Sequence, residues 1–217
     1  MRTSVLPLTI SVVLFATALA NGISAEGAKP SSAQQLPASD VRIESEQNHG
    51  GRLYARIGGK DVRIADHAVA AWLLDNGHKI AYSGADGAGG YENEGQSLRI
   101  YEVQTGTHRK VLASYYVIDK VSEVKTRRGK QALLVEMRDG GLGASHLAVV
   151  DPRRGEVFMR KQVKLLGRQG DMIVVGYYHE ADWERMDHDV AIQPYKTERY
   201  DINALLRRGV IQNSVLP

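Results

Sequence analysis

Cysteine is absent from the 217 residues. That excludes a disulfide framework, a cysteine nucleophile, thiolate metal ligation and a lipid-bearing cysteine. Proline is scarce at six, and phenylalanine and tryptophan stand at two each, so any core must be built from aliphatic side chains and tyrosine. A dominant charge sign is missing too: 28 Lys and Arg face 25 Asp and Glu. Basic residues gather at 125–130 and at Arg153 and Arg154, in expected turns beside Glu123, Glu136 and Asp151. A nucleic-acid binder needs a coherent basic face; these are solvated turns, and nucleic acid is not an expected partner. No Gly-x-Ser-x-Gly elbow, HExxH pair or phosphate-cradling glycine loop occurs in the chain, which removes the commonest sequence signatures of serine, zinc and nucleotide chemistry. No cofactor and no resident metal are expected.

Long apolar runs are also lacking, with one exception. Arg2 precedes an apolar stretch over residues 5–20, interrupted by Pro7 and followed by small residues at Ala18, Ala20 and Ala25. Residues 1–25 therefore read as a cleaved secretory signal, too short for a spanning anchor, and the expected location is periplasmic or secreted. Residues 26–40, with Pro30, Ser31, Ser32, Gln34, Gln35 and Pro37, lack periodicity and read as a disordered leader. Residues 41–209 form the expected folded domain and 210–217 a C-terminal tail.

What is abundant is glycine, at 22 residues, and tyrosine, at ten. The glycines recur with a pattern. Trp72 and Gly77, Val124 and Gly129, and Leu165 and Gly170 share one interval. Each pair is followed by a strand, a variable loop, a second strand and a closing turn, at Gly106, Gly155 and Thr197. Such self-similarity marks units that bury their faces against neighbours. Expected strands cover 68–73, 79–83, 97–103 and 109–113 in the first unit, and 115–124, 131–136, 146–150 and 156–160 in the second. The third uses 162–166, 172–178, 189–193 and 198–202. A leading hairpin joins 53–57 to 60–64 through Gly58 and Gly59, a loop suited to primed turns. One helix is expected from Ile202 to Arg208, capped by Asp201.

The run from Trp72 to Ser83, Trp-Leu-Leu-Asp-Asn-Gly-His-Lys-Ile-Ala-Tyr-Ser, followed by the strand Leu98 to Val103 and the Thr105-Gly106 turn, resembles the repeat of exported TolB-like β-propellers. The resemblance is good over residues 68–113, fair over 129–160 and poor beyond 165, where the Asp, Trp and aromatic-Ser elements are lost. It implies the cell envelope and a protein-partner role. The expected fold is all-β: three to four antiparallel sheet repeats forming an incomplete or small propeller-like stack, with a β-sandwich as the alternative. A chain with so few units could oligomerise to close its sheet, so a homo-oligomer is a possible assembly.

Candidate functional residues lie in the variable loops. Residues 84–96 hold Asp86, Tyr91, Glu92, Asn93 and Glu94, oxygen donors whose spacing matches no calcium loop. Residues 179–188 hold His179, Glu180, Asp182 and Trp183 in the densest ionisable stretch, with nine positions from His179 to His188, unlike a zinc helix. Residues 138–144 occupy the matching place in the second unit. Stacked units would bring these three loops to one edge. The leading expectation is a non-catalytic module that binds a protein or cell-envelope glycan there, with Trp183 and Tyr91 as an exposed platform. The alternative is a small periplasmic hydrolase or metal-dependent enzyme using Glu92 or Glu94 with His179 and Asp182. His67, His78, His108 and His146, near strand ends, read as surface residues.

Overall fold

The computed structural model describes residues 35–45, 50–85, 96–114, 116–139, 143–187 and 190–207. These residues form an all-β fold of three antiparallel sheets, none closed into a barrel. The first sheet has six strands: β1 (Val41–Ser45), β2 (Gly51–Ile57), β3 (Lys60–Leu74), β4 (Lys79–Ala85), β5 (Gln96–Glu102) and β6 (Thr107–Ser114). The second is a four-stranded meander of β7 (Val117–Lys125), β8 (Gln131–Arg138), β9 (Ser145–Asp151) and β10 (Gly155–Arg160). The third contains β11 (Val163–Gln169), β12 (Met172–Tyr177) and β13 (Lys196–Asp201). Two α-helices, α1 (Glu180–Asp187) and the single turn α2 (Ile202–Leu205), and two 3-10 turns, Ala38–Asp40 and Asp75–Gly77, complete the order. Among the described residues no helix is long and apolar enough to cross a membrane.

The repeat glycines have a physical cause. Gly77, Gly129 and Gly170 all sit at positive φ, +87°, +71° and +60°, in the first hairpin turn of their units. Residues with a Cβ avoid this region. Gly77 carries a second constraint, because a Cβ there would lie 2.2 Å from the Leu36 carbonyl oxygen. Leu36 N–H donates to the Gly77 carbonyl at 3.1 Å, and the Leu36 side chain is buried. The chain just ahead of β1 is therefore docked onto the first unit.

The sheets are apolar on both faces where they meet, as stacked layers require. Leu74, Ala81, Leu98, Ile100, Val111 and Leu112 of the first sheet pack on Ile118, Val121, Leu133, Val135, Met137, Ala148 and Val150 of the second. The opposite face of the second sheet, through Val124, Leu134, Leu147, Val149, Val157 and Phe158, meets Val163, Ile173, Val175, Ile202, Leu205 and Leu206. The first sheet folds on itself. The amino-terminal half of β3 pairs with β2 and its second half pairs with β4, with a register shift between Ala68 and Ala70. This lets Leu53 and Ala55 of β2 cover Ile80, Tyr82, Tyr101 and Val103.

Three expectations are corrected. Residues 190–194 form no strand, and the third sheet has three strands rather than four. Thr197 lies within β13 rather than in a turn. A helix, α1, occupies the stretch read as a loop; the expected helix at Ile202 does form, with the Asp201 side chain accepting from the Asn203 backbone N–H at 2.8 Å.

Candidate functional site: one rim and its cleft

In an antiparallel meander alternate connections fall on opposite ends of the strands, so two rims arise. One rim is made of tight turns tied to each other. Asp75 N–H donates to Glu123 Oε2 at 2.7 Å, and Gln131 Nε2 donates to Glu123 Oε1 at 2.8 Å. The Asp171 carboxylate accepts from Arg127 N–H at 3.0 Å and from Asn203 Nδ2 at 2.7 Å. The basic cluster at 125–130 belongs here, with Lys125 Nζ 3.6 Å from Asp75. Arg154 holds Asp151 at 2.7 Å and also donates to the Leu206 carbonyl. These charges are spent on fastening turns.

The other rim carries the long connections. The β8–β9 and β12–β13 connections meet there, because buried Ala144 packs with Tyr178 and Trp183, flanked by Met186 and Ile192. Two of the three loops expected to share an edge are thus in contact. Asp86, Tyr91, Glu92 and Glu94 lie outside the described residues.

Within 179–187 the side chains have structural duties. His179 is the residue before α1; its backbone N–H donates to Asp182 Oδ2 at 3.2 Å, and Asp182 N–H donates back to the His179 carbonyl at 2.9 Å. This is one half of a capping box, with Asp in the third helical position accepting from the N-cap N–H and the return bond going to the backbone carbonyl rather than to a side chain. Asp182 Oδ1 also lies 3.7 Å from Arg185, and Glu180 is exposed in the first turn. Trp183 is 3% exposed and meets the Tyr178 ring edge-on at 5.2 Å. It anchors α1 and is not a platform. The exposed aromatic surface is another one: Tyr195, 58% exposed, stacks on the exposed His179 ring at 4.2 Å with 19° between planes. Tyr195 was not singled out in the sequence, since it lies seven residues beyond the ionisable stretch ending at His188.

A cleft of about 280 Å³ opens near this rim between the second and third sheets. Its walls are Asp119 and Lys120 of β7, Glu136 and Met137 of β8, Ser145 and His146 of β9, and Val163, Lys164 and Leu165 of β11. Of the second sheet β11 packs chiefly on β9, and among the described residues the third sheet has no further strand over β7 and β8, which leaves the cleft open. Lys120 Nζ is 3.2 Å from Glu136 Oε1, and Arg138 Nη2 is 3.3 Å from Asp119 Oδ1. Burial pushes the Asp119 carboxyl up, against the opposing pull of Arg138.

His146 is 3% exposed, which corrects its reading as a surface residue. Its Nδ1 accepts from Gln162 N–H at 3.1 Å, so the neutral ring carries its proton on Nε2. Tyr116 packs on the ring at 3.9 Å, and Asp139 Oδ2 lies 3.9 Å from Nε2, beyond hydrogen-bond reach. Burial lowers the His146 pKa first, Asp139 pulls it the other way, and Lys161 adds to the lowering. His67, His108 and His179 are exposed, so burial singles His146 out. Nothing local in the sequence separates it from the others.

Among the described residues no group of three or more His, Cys, Asp or Glu is placed to hold a metal ion. No protein-family model matches the chain, and no curated protein matches it.

Proposed function

We propose that the chain is an exported, non-catalytic β-repeat module that binds a protein or glycan of the cell envelope through its loop-bearing rim. The observation that carries this reading is the Tyr195–His179 stack, an exposed aromatic pair on a rigid support. Exposed tyrosine held in one orientation loses little entropy on binding and dominates many contact surfaces. The support is rigid because Trp183 is buried beneath α1 and Tyr195 N–H donates to the Tyr177 carbonyl at 3.0 Å. The signal-like residues 1–25 and the resemblance of residues 68–113 to TolB-like propellers supply the envelope setting. The His179 backbone and the Asp182 carboxylate hold the start of α1, and the His179 ring stacks on Tyr195, an arrangement that favours contact over hydrolysis.

Co-sedimentation with a bacterial envelope fraction tests the proposal. Tyr195→Ala is expected to lower binding about tenfold with no loss of thermal stability, and Arg128→Ala on the opposite rim is expected to be neutral. If Arg128→Ala abolishes binding while Tyr195→Ala leaves it intact, the rim assignment fails.

A further inference from the structure

The cleft between the second and third sheets holds a set of groups that fold stability alone does not explain. Glu136 Oε1 and His146 Nε2 are buried and make no hydrogen bond, although Lys120 approaches the former in an ion-pair contact. Buried polar atoms of this kind are rare and costly, and a water, an ion or a bound molecule can complete them; these two are the ones that border the cleft. Around them the wall alternates donors with acceptors. Lys120, Lys164, the Ser145 hydroxyl and the His146 ring can donate; Asp119, Glu136 and Ser145 can accept. Leu165 supplies a partly exposed apolar surface in the same wall, with Met137 and Val163 buried behind it.

From this arrangement we propose that the cleft is a carbohydrate subsite that seats one uncharged sugar ring of a glycan. Three features select that class. The two lysines in the wall are balanced by two carboxylates, so neither a strongly anionic nor a strongly cationic ligand gains from it. A sugar hydroxyl donates and accepts at once, which suits a wall where Lys120 and Glu136 lie 3.2 Å apart; the C–H face of the ring suits Leu165. The volume, about 280 Å³, is at the small end for ligand sites and fits one ring rather than a larger ligand. The cleft also connects to the aromatic platform. Val163 in its wall is the strand partner of Tyr177, whose carbonyl holds Tyr195 N–H. A glycan with one ring in the cleft therefore has a stacking surface close by for the next.

This inference rests on the rim being the contact surface, and it names the ligand class there. The test is titration of the full chain with glucose, N-acetylglucosamine, cellotriose and chitotriose, followed by saturation-transfer NMR and calorimetry. At least one trimer is expected to bind more tightly than its monomer. Glu136→Gln and Lys164→Ala are each expected to weaken it about tenfold, the loss of one charge-assisted hydrogen bond, without lowering the unfolding temperature. Lys164 is exposed and forms no ion pair among the described residues, so its substitution keeps the test independent of folding. Absence of binding by all four sugars overturns the proposal, as does binding that neither substitution changes. The two readings fail separately. Envelope binding lost in Tyr195→Ala with no response to any sugar retains the rim and rejects the carbohydrate; sugar binding with envelope binding indifferent to Tyr195→Ala does the reverse.

Discussion

At the scale of single residues, buried titratable groups set the pH behaviour of the fold. Glu156 on β10 is 6% exposed, its Oε2 makes no hydrogen bond, and burial pushes its carboxyl up. A carboxyl whose pKa is raised in the folded state binds its proton more tightly there than in the unfolded chain. Its neutral form supports the fold at low pH, and stability falls as pH rises through the ordinary carboxylate range to the raised value. Glu156→Gln is thus expected to raise the unfolding free energy at pH 7 and to change it little near pH 4. Denaturant titrations at the two pH values check this, and the same change at both, or a loss at pH 7, would contradict it. His146 has the opposite sign: its folded pKa is lowered, so it favours the fold above the ordinary histidine range and opposes it as pH falls through that range. At this scale the sequence was readable for glycine and for Asp201, whose roles follow from local backbone geometry. It was not readable for His146 or Trp183. Their burial depends on Tyr116, Gln162, Ala144 and Tyr178, partners brought in by packing rather than by adjacency.

Among the elements, the turns carry the repeat. Gly77 and Gly129 occupy matching turns at φ +87° and +71°, yet a Cβ on Gly129 meets nothing within 4 Å while one on Gly77 strikes the Leu36 backbone. Gly129→Ala should cost about 1–2 kcal/mol, the left-handed penalty alone. Gly77→Ala should cost distinctly more and should expose Leu36, seen as faster amide exchange at residues 36–43. Equal costs would show that the Leu36 contact contributes nothing. The strand pattern was legible through the first two units because short runs of strand-forming apolar residues and glycine turns coincide there. The third unit departed. Residues 189–193 carry the short apolar run Val190-Ala191-Ile192 that a buried strand would show, but α1 consumes the preceding chain and Tyr195 re-enters through its bond to Tyr177. The cap of α1 was also hidden, because histidine is not among the usual capping residues.

For the whole molecule, the stack of sheets is what makes a functional surface possible. The first sheet doubles over itself, the second is covered on both faces, and the third covers only part of its neighbour. One end of the strands is tied by carboxylates that bridge successive turns; the other collects the long connections, the Tyr195–His179 stack and the cleft. The all-β fold and the meeting of two of the three variable loops could be read from spacing. The cleft could not, since it arises where, among the described residues, no strand covers β7 and β8.

Amide mapping by NMR, with and without solubilised envelope material, tests the central claim most directly. Binding is predicted to shift or protect amides at 143–146, 162–165 and 178–195, and to leave 75–77, 126–130 and 152–155 unchanged. Perturbation centred on the second group, with the first unaffected, would contradict the account.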